Sequence, residues 1–329
     1  MKINRYAFIL SSALAITAGF FLIFFNAIRD MGDQGNDRLV YADEFYSLLS
    51  TGEKLVEFRG FEILLTHFYR LLIASGVTSF ETATLVVSLF CYMVILWALY
   101  NIRSRYNSSE YWVLVFLVVA FLNYLWPSFA VRQALSIAFI FLSFSFYSKY
   151  LKVVFMALAI SSHYYAIFIL ALYLVARGGL KRTSKIKLGV AASLLPILLI
   201  GYWGPISGEI NSTFLKLLKS DVSLHDSIVL TMKVTYLLPL IAIVALRNRK
   251  AKIVNDPDVR GYILCAVLSI SVLFIPYASL RFMAYFSTVA AGVIVFKIIK
   301  SAFKKRWKII ALAVGWSKIA LAMANAGFA

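Results

Sequence analysis

Trp126-Pro127-Ser128-Phe129-Ala130-Val131-Arg132-Gln133-Ala134-Leu135-Ser136 opens the stretch that decides how this chain is read. The sequence continues through apolar residues to Tyr150 and Lys152, and then through Ala159-Ile160-Ser161-Ser162-His163-Tyr164-Tyr165 to Val175. An Arg-Gln pair and a lone histidine thus stand inside sequence that otherwise admits almost no polarity. A buried guanidinium cannot shed its proton, so it must meet an anion or several hydrogen-bond acceptors.

Outward from this stretch the composition sets the class. With 62% hydrophobic and 15% charged residues and a mean hydropathy of +0.84, the 329 residues are too apolar for a soluble globular protein. They read as one integral membrane domain over 1–329, an all-α polytopic protein. A net charge of +18 would suggest nucleic acid in a soluble chain. Here the basic residues cluster in short segments between apolar runs, which is the positive-inside pattern, and the natural partner is the anionic cytoplasmic leaflet rather than nucleic acid. Cys91 and Cys265 lie within apolar runs and the three histidines are far apart. Neither a disulfide framework, a metal nor a cofactor is expected.

About nine transmembrane helices follow from the apolar runs. Tyr6 to Ala27, after Lys2 and Arg5, reads as an uncleaved first span starting in the cytoplasm. The segment 28–60 holds seven of the fifteen acidic residues and belongs outside as a loop. Phe61 to Val77 carries Glu62, His67 and Arg70 on an amphipathic pattern too short for a span and reads as an interfacial helix. Phe80–Tyr100, Tyr111–Trp126 and Ala134–Tyr147 are the next spans, bringing the chain to Lys149 and Lys152. Val153 to Ala176 then has cations on both flanks, Arg177, Lys181 and Arg182 following it. If both flanks are cytoplasmic the run cannot cross once, and the Ser161-Ser162-His163 step becomes the tip of a re-entrant pair of half-helices. The alternative is a single crossing with Lys149 and Lys152 snorkelling outside, inverting everything downstream; the later cationic clusters favour the re-entrant form. Spans at 186–203, 228–246, 261–277, 282–299 and 309–329 complete the set, with a second external loop at 204–227.

Arg132 and Gln133 fall at the outer end of their span, after Pro127. A snorkelling interfacial arginine is the plain reading. Company favours the functional one: Arg281, between two spans at the same face, can join Arg132 in a clamp for pyrophosphate, and Lys233 enters from that face. His163 at the tip can act as a base near neutral pH, or can hydrogen-bond a neighbouring helix. The first external loop supplies carboxylates and aromatic rings suited to sugars, among them Tyr41, Asp43, Glu44, Tyr46, Glu57 and Arg59. Asp256-Pro257-Asp258 spells a metal-binding D-x-D, but aspartates beside a proline before a helix are ordinary turn and cap residues.

Asp43-x-x-Tyr46, a glutamate before Gly60-Phe61, Arg132-Gln133-Ala134-Leu135 entering a span, a small-residue step into His163, and Arg281 with Tyr285 occur in that order. The pattern resembles the EpsG-type branch of Wzy-like polysaccharide polymerases, over about Asp43 to Tyr285. Where family members place Glu-Pro-Gly, this chain has Glu57-Phe58-Arg59-Gly60-Phe61, so Glu57 and Glu62 compete for one role; Tyr165 follows His163 where a small hydroxyl residue is common. The resemblance implies polymerisation of undecaprenyl-pyrophosphate-linked repeat units for O-antigen, capsule or exopolysaccharide, at the outer face of a bacterial cytoplasmic membrane. On it, Arg132, Gln133, Arg281 and Lys233 hold pyrophosphate. His163, Asp43 or Glu57 takes a proton, and Tyr46, Arg59, Glu62 and Tyr285 contact glycan. A chain-length regulator is the expected protein partner. A flippase for lipid-linked oligosaccharides and a glycan ligase are the competing activities, and the scarcity of mid-span ionisable residues argues against the flippase.

Overall fold

A computed structural model describes residues 5–28, 36–52, 63–122, 130–163, 166–167, 169–171, 176, 228–229, 231–232, 235–247, 253–271, 283, 285–303 and 306–325. Helices account for nearly all of them, and no strand occurs among the described residues. They are α1 (Arg5–Ile28), α2 (Asn36–Thr51), α3 (Leu64–Ala74), α4 (Phe80–Asn101), α5 (Ser108–Phe121), α6 (Val131–Ser145), α7 (Lys149–Ser162), α8 (Leu237–Arg247), α9 (Pro257–Ser271), α10 (Val289–Ala302) and α11 (Trp307–Asn325). Single 3-10 turns at Arg103–Arg105 and Ile253–Asn255 join them. The start signals are chemical. The Ser79 hydroxyl accepts from the Thr82 N–H, and the Asn107 side-chain oxygen Oδ1 from that of Glu110. Each satisfies an otherwise orphaned first-turn donor.

Among the described residues three helices are long and apolar enough to cross a bilayer: Tyr6–Ala27, Phe80–Arg105 and Trp307–Asn325. The last shows that the run holding Lys318 forms one continuous helix. α5 has 14 residues and α6 15, roughly 21 Å of helix each against a hydrocarbon core of about 30 Å. The expected span at 186–203 and the loop at 204–227 lie outside the described residues.

α5 is the central post. Every side chain from Val113 to Phe121 is buried, because α1, α10 and α11 all pack on it. A helix apolar all round finds such a place inside a bundle. Ser12 donates to the Trp112 carbonyl at 2.9 Å, setting α1 alongside α5 in the same direction, while Tyr92 donates to Ile16 at 3.1 Å and turns α4 the opposite way. α10 runs against α5. Lys300 pairs with Glu110 at 2.6 Å near one end, and farther along Gly292 lies so close to Val118 and Leu117 that an added Cβ would strike their backbone.

These directions gather Arg103, Arg105, Glu110, Lys149 and Lys300 at one end of the bundle, which is the basic end. Arg105 donates to the carbonyls of Ser145 at 2.6 Å and Phe144 at 3.3 Å, closing the C-terminus of α6, and Asn101 reaches Ser145 Oγ at 3.3 Å. The turn holding Lys149 therefore belongs to the basic end, and α7 climbs from it. The snorkelling alternative, which sets Lys149 at the opposite end, does not fit this placement. α7 stops at Ser162, with His163 in extended backbone, so the helix breaks at the polar step where the sequence places a tip. Most of its continuation lies outside the described residues.

The polar segment 28–60 is read from sequence as a loop, but it contains a 16-residue helix. Its buried residues, Tyr41, Glu44, Phe45 and Leu48, fall at i, i+3, i+4 and i+7, a single helical face. Surrounding carboxylates hide that face in any average over the segment. α3 packs against α2 through Leu65, Thr66 and Tyr69, in keeping with the amphipathic helix expected near 61–77.

Candidate functional site

At the end of the bundle far from the cations, α2, α3 and the first turn of α6 bring a set of polar groups into apolar surroundings. Arg132, the second residue of α6, is 8% exposed, and its guanidinium lies over the Tyr41 ring at 4.8 Å. Tyr41 comes from the buried face of α2, and one turn on the same face presents Glu44, 7% exposed. Thr66 of α3 donates its hydroxyl to Glu44 Oε1 at 2.6 Å. One turn farther along α3, Tyr69 is wholly buried with its ring edge-on to Phe45 at 5.4 Å.

Tyr69 reports the electrostatics of the group. Burial pushes its hydroxyl well above the usual tyrosine range, with Tyr41 and Glu44 adding to the shift and Arg132 opposing it. Tyr41, Glu44 and Arg132 are thus each within electrostatic reach of Tyr69. Tyr69 stays a neutral donor, yet its hydroxyl has no hydrogen-bond partner, and neither does the amide nitrogen of Gln133, next to Arg132. Of the seven buried side-chain atoms left unpaired among the described residues, five belong to turns at this end: Asn26 Oδ1, Arg38 Nη1, Tyr69 OH, Thr84 Oγ1 and Gln133 Nε2. An unpaired buried polar group costs about 1–3 kcal/mol, so these five atoms are candidates for partners from outside the chain.

His163 belongs to this end through the α6–α7 hairpin. The two helices leave a three-residue turn, 146–148, with arms of nearly equal length, so residues whose numbers sum to about 294 face each other (145 + 149 = 294). The stacked pair Phe139 and Phe155 obeys that rule, with ring centroids 6.1 Å apart. It sets His163 level with Val131, beside Arg132. Ser161 and Ser162 donate back to the Leu158 carbonyl at 3.0 and 2.7 Å, so their hydroxyls serve the helix end.

Other sequence-predicted residues are distributed differently. Asp43 and Tyr46 lie on the exposed side of α2, turned away from the Arg132 group. Tyr285 is buried with its ring edge-on to Phe144, twelve residues from Arg132 along α6 (144 − 132), or roughly 18 Å of helix; the fold separates these two positions. Glu57, Arg59, Glu62, Lys233 and Arg281 lie outside the described residues. The D-x-D aspartates are engaged at the basic end: Asp256 Oδ1 accepts from the Asp258 N–H at 3.0 Å as a cap of α9, and both carboxylates bind Lys297 of α10. Among the described residues no three His, Cys, Asp or Glu side chains group as metal ligands do.

With this geometry the whole-chain pattern has a context. The EpsG family pattern matches residues 12–323. The chain belongs to the EpsG family. That family is one of Wzy-like polysaccharide polymerases, and the match takes in every element of the Arg132 group. No curated protein and no solved structure matches the chain. In this EpsG-family bundle, sequence reasoning singles out Arg132 and Gln133 but passes over Thr66 and Tyr69 and prefers Asp43 to Glu44. The 41/44/45/48 spacing is the signal that would have separated the two carboxylates.

Proposed function

We propose that this EpsG-family protein joins undecaprenyl-pyrophosphate-linked oligosaccharide repeat units at the outer leaflet of a bacterial cytoplasmic membrane. The observation that carries the reading is a buried, permanently charged Arg132 flanked by two unpaired neutral donors, Tyr69 and Gln133. A fork of guanidinium N–H groups with amide and phenol donors suits a diphosphate better than a neutral sugar. By the positive-inside rule the basic end is cytoplasmic, which turns the Arg132 end outward in an arrangement of about nine spans. Nucleotide-sugars are not available there, so glycosyl transfer must draw on a donor that carries its own leaving group.

In the reaction an acceptor sugar hydroxyl attacks the anomeric carbon of the donor, a C–O bond forms, and the bond from that carbon to the pyrophosphate oxygen breaks. The electron pair stays with the departing lipid pyrophosphate, whose growing charge Arg132, together with Arg281 and Lys233, neutralises. Gln133 and Tyr69 donate to its oxygens. The acceptor proton passes to His163 or to a carboxylate, with Asp43, Glu57 and Glu44 as the candidates. Tyr46, Arg59 and Glu62 are proposed contacts for the glycan, whereas Tyr285, buried against Phe144 toward the basic end, is not; a chain-length regulator is the proposed protein partner.

The test is chain growth by purified protein on a lipid-linked repeat unit. A ladder of lengthened products is expected, and Arg132→Ala should reduce it by about 100-fold or more, the scale for losing one charge-stabilising donor. Movement of the lipid across vesicles with no lengthening would reassign the protein as a flippase, and transfer of finished glycan onto another lipid would make it a ligase. Normal ladders from Arg132→Ala would remove the pyrophosphate role.

A further inference from the structure

An open recess of about 440 Å³ lies at the basic end between the last turn of α4 and the first of α5, lined by Tyr100, Asn101, Arg103, Ser104, Tyr106 and Ser108. The neighbouring cations are each committed. Arg105 closes the C-terminus of α6 and stacks over Tyr147 at 4.7 Å. Lys300 holds Glu110, and Lys297 holds Asp256 and Asp258. Arg103 has neither a carboxylate nor a hydrogen-bond partner among the described residues, and it is exposed to the recess. The Ser104 hydroxyl is hydrogen-bonded to Tyr147, which leaves an uncompensated guanidinium beside the Ser108 hydroxyl as a phosphate-binding pair.

The recess also has a direction. Met93, Trp97 and Tyr100 follow one another at i, i+4 and i+7 on α4, and they are 54%, 47% and 64% exposed. That apolar stripe leads from the recess along a helix long enough to cross the membrane. A soluble phosphate would use the recess and leave the stripe bare, whereas a phospholipid fits both. Tyrosine and tryptophan at the head-group level suit the same depth.

We propose that this recess binds the head group of an anionic phospholipid, its phosphate beside Arg103 and Ser108 and an acyl chain along Met93 and Trp97. The site lies at the opposite end of the bundle from the Arg132 group and does not depend on the polymerase reading. It ties lipid to the junction at which Arg105 fastens the α6–α7 hairpin.

The probe is quenching of Trp97 by phospholipids with brominated acyl chains, in nanodiscs of phosphatidylcholine holding the full-length protein. The difference between the native protein and Trp97→Phe isolates Trp97 from the other tryptophans. At equal mole fraction, brominated phosphatidylglycerol should quench Trp97 about fivefold more effectively than brominated phosphatidylcholine, as one cation at the surface provides. Arg103→Gln should abolish the preference and Arg103→Lys should keep it, with circular dichroism confirming the helices. Should Arg103→Gln fail to fold, the Ser108→Ala variant serves, with a weakened preference expected. Equal quenching by the two lipids in the native protein would overturn the proposal, as would an undiminished preference in Arg103→Gln or in Ser108→Ala. Loss of the preference on adding millimolar inorganic phosphate would overturn it in favour of a soluble anion.

Discussion

Tyr69 and Gln133 lose stability where they stand, and that loss makes their purpose testable. A phenol buried without a partner is worth replacing if stability is the only concern. Tyr69→Phe keeps the ring against Phe45 and removes the unpaired hydroxyl, so thermal unfolding should shift upward by the equivalent of about 1 kcal/mol. Polymer formation should fall about tenfold in the same variant, because the donor to pyrophosphate is gone. A more stable protein with full activity would show that the hydroxyl has no part in the reaction. The two adjacent carboxylates divide in the same way. Glu44→Gln keeps the shape but removes the carboxyl group bonded to Thr66 and should lower activity about tenfold or more; Asp43→Asn, on the exposed side of α2, should change it less than threefold, the scale of a surface contact. The reverse order would return the role to Asp43. Arg132 was legible because a charge in an apolar run stands out. Glu44 was not, because burial of a carboxylate in a polar segment depends on which helical face it shares.

At the scale of elements, the two helix contacts made by glycine differ in what opposes them. Gly292 of α10 meets the backbone of Val118 and Leu117, whereas Gly315 of α11 meets the ring of Phe116. Backbone cannot yield, and close approach through small residues is how membrane helices gain packing without a hydrophobic drive. Gly292→Ala should therefore cost about 2–3 kcal/mol, within the range for overpacking, and appear as a lower unfolding temperature and reduced accumulation in the membrane. Gly315→Ala should cost less and be relieved by Phe116→Leu, a rescue unavailable to Gly292→Ala. Equal penalties for the two glycines would contradict the close crossing of α5 and α10. Neither crossing was legible beforehand. α5 is apolar on every side, so no stripe in its sequence says which neighbours it takes.

For the whole molecule the directions of the helices decide function, since Arg132 stands in the first turn of α6 while Arg105, from the turn after α4, closes the opposite end of that helix. Cys91 and Cys265 are both buried, which leaves a quiet background for thiol labelling. An impermeant maleimide applied to intact cells should label Asp43→Cys and leave Ser148→Cys unlabelled until the membrane is opened. Labelling in the opposite order would invert the protein and set Arg132 in the cytoplasm. The apolar runs and cation clusters revealed class and direction, because both follow from composition along the chain. They missed one element and shifted the bounds of others: a helix replaces a loop at 36–51, and α6 begins three residues before the run read for it.

The matched arms of the α6–α7 hairpin make spacing itself a constraint on sequence change. One residue added within α7 would swing everything beyond it by about 100° and raise it by about 1.5 Å, carrying His163 off the line of Arg132 while leaving both side chains chemically intact. Point substitutions along those arms can be absorbed by neighbouring lipid or side chains. A change in length between Arg132 and His163 cannot, so natural variation in that interval should consist of exchanges of residues and not of insertions or deletions.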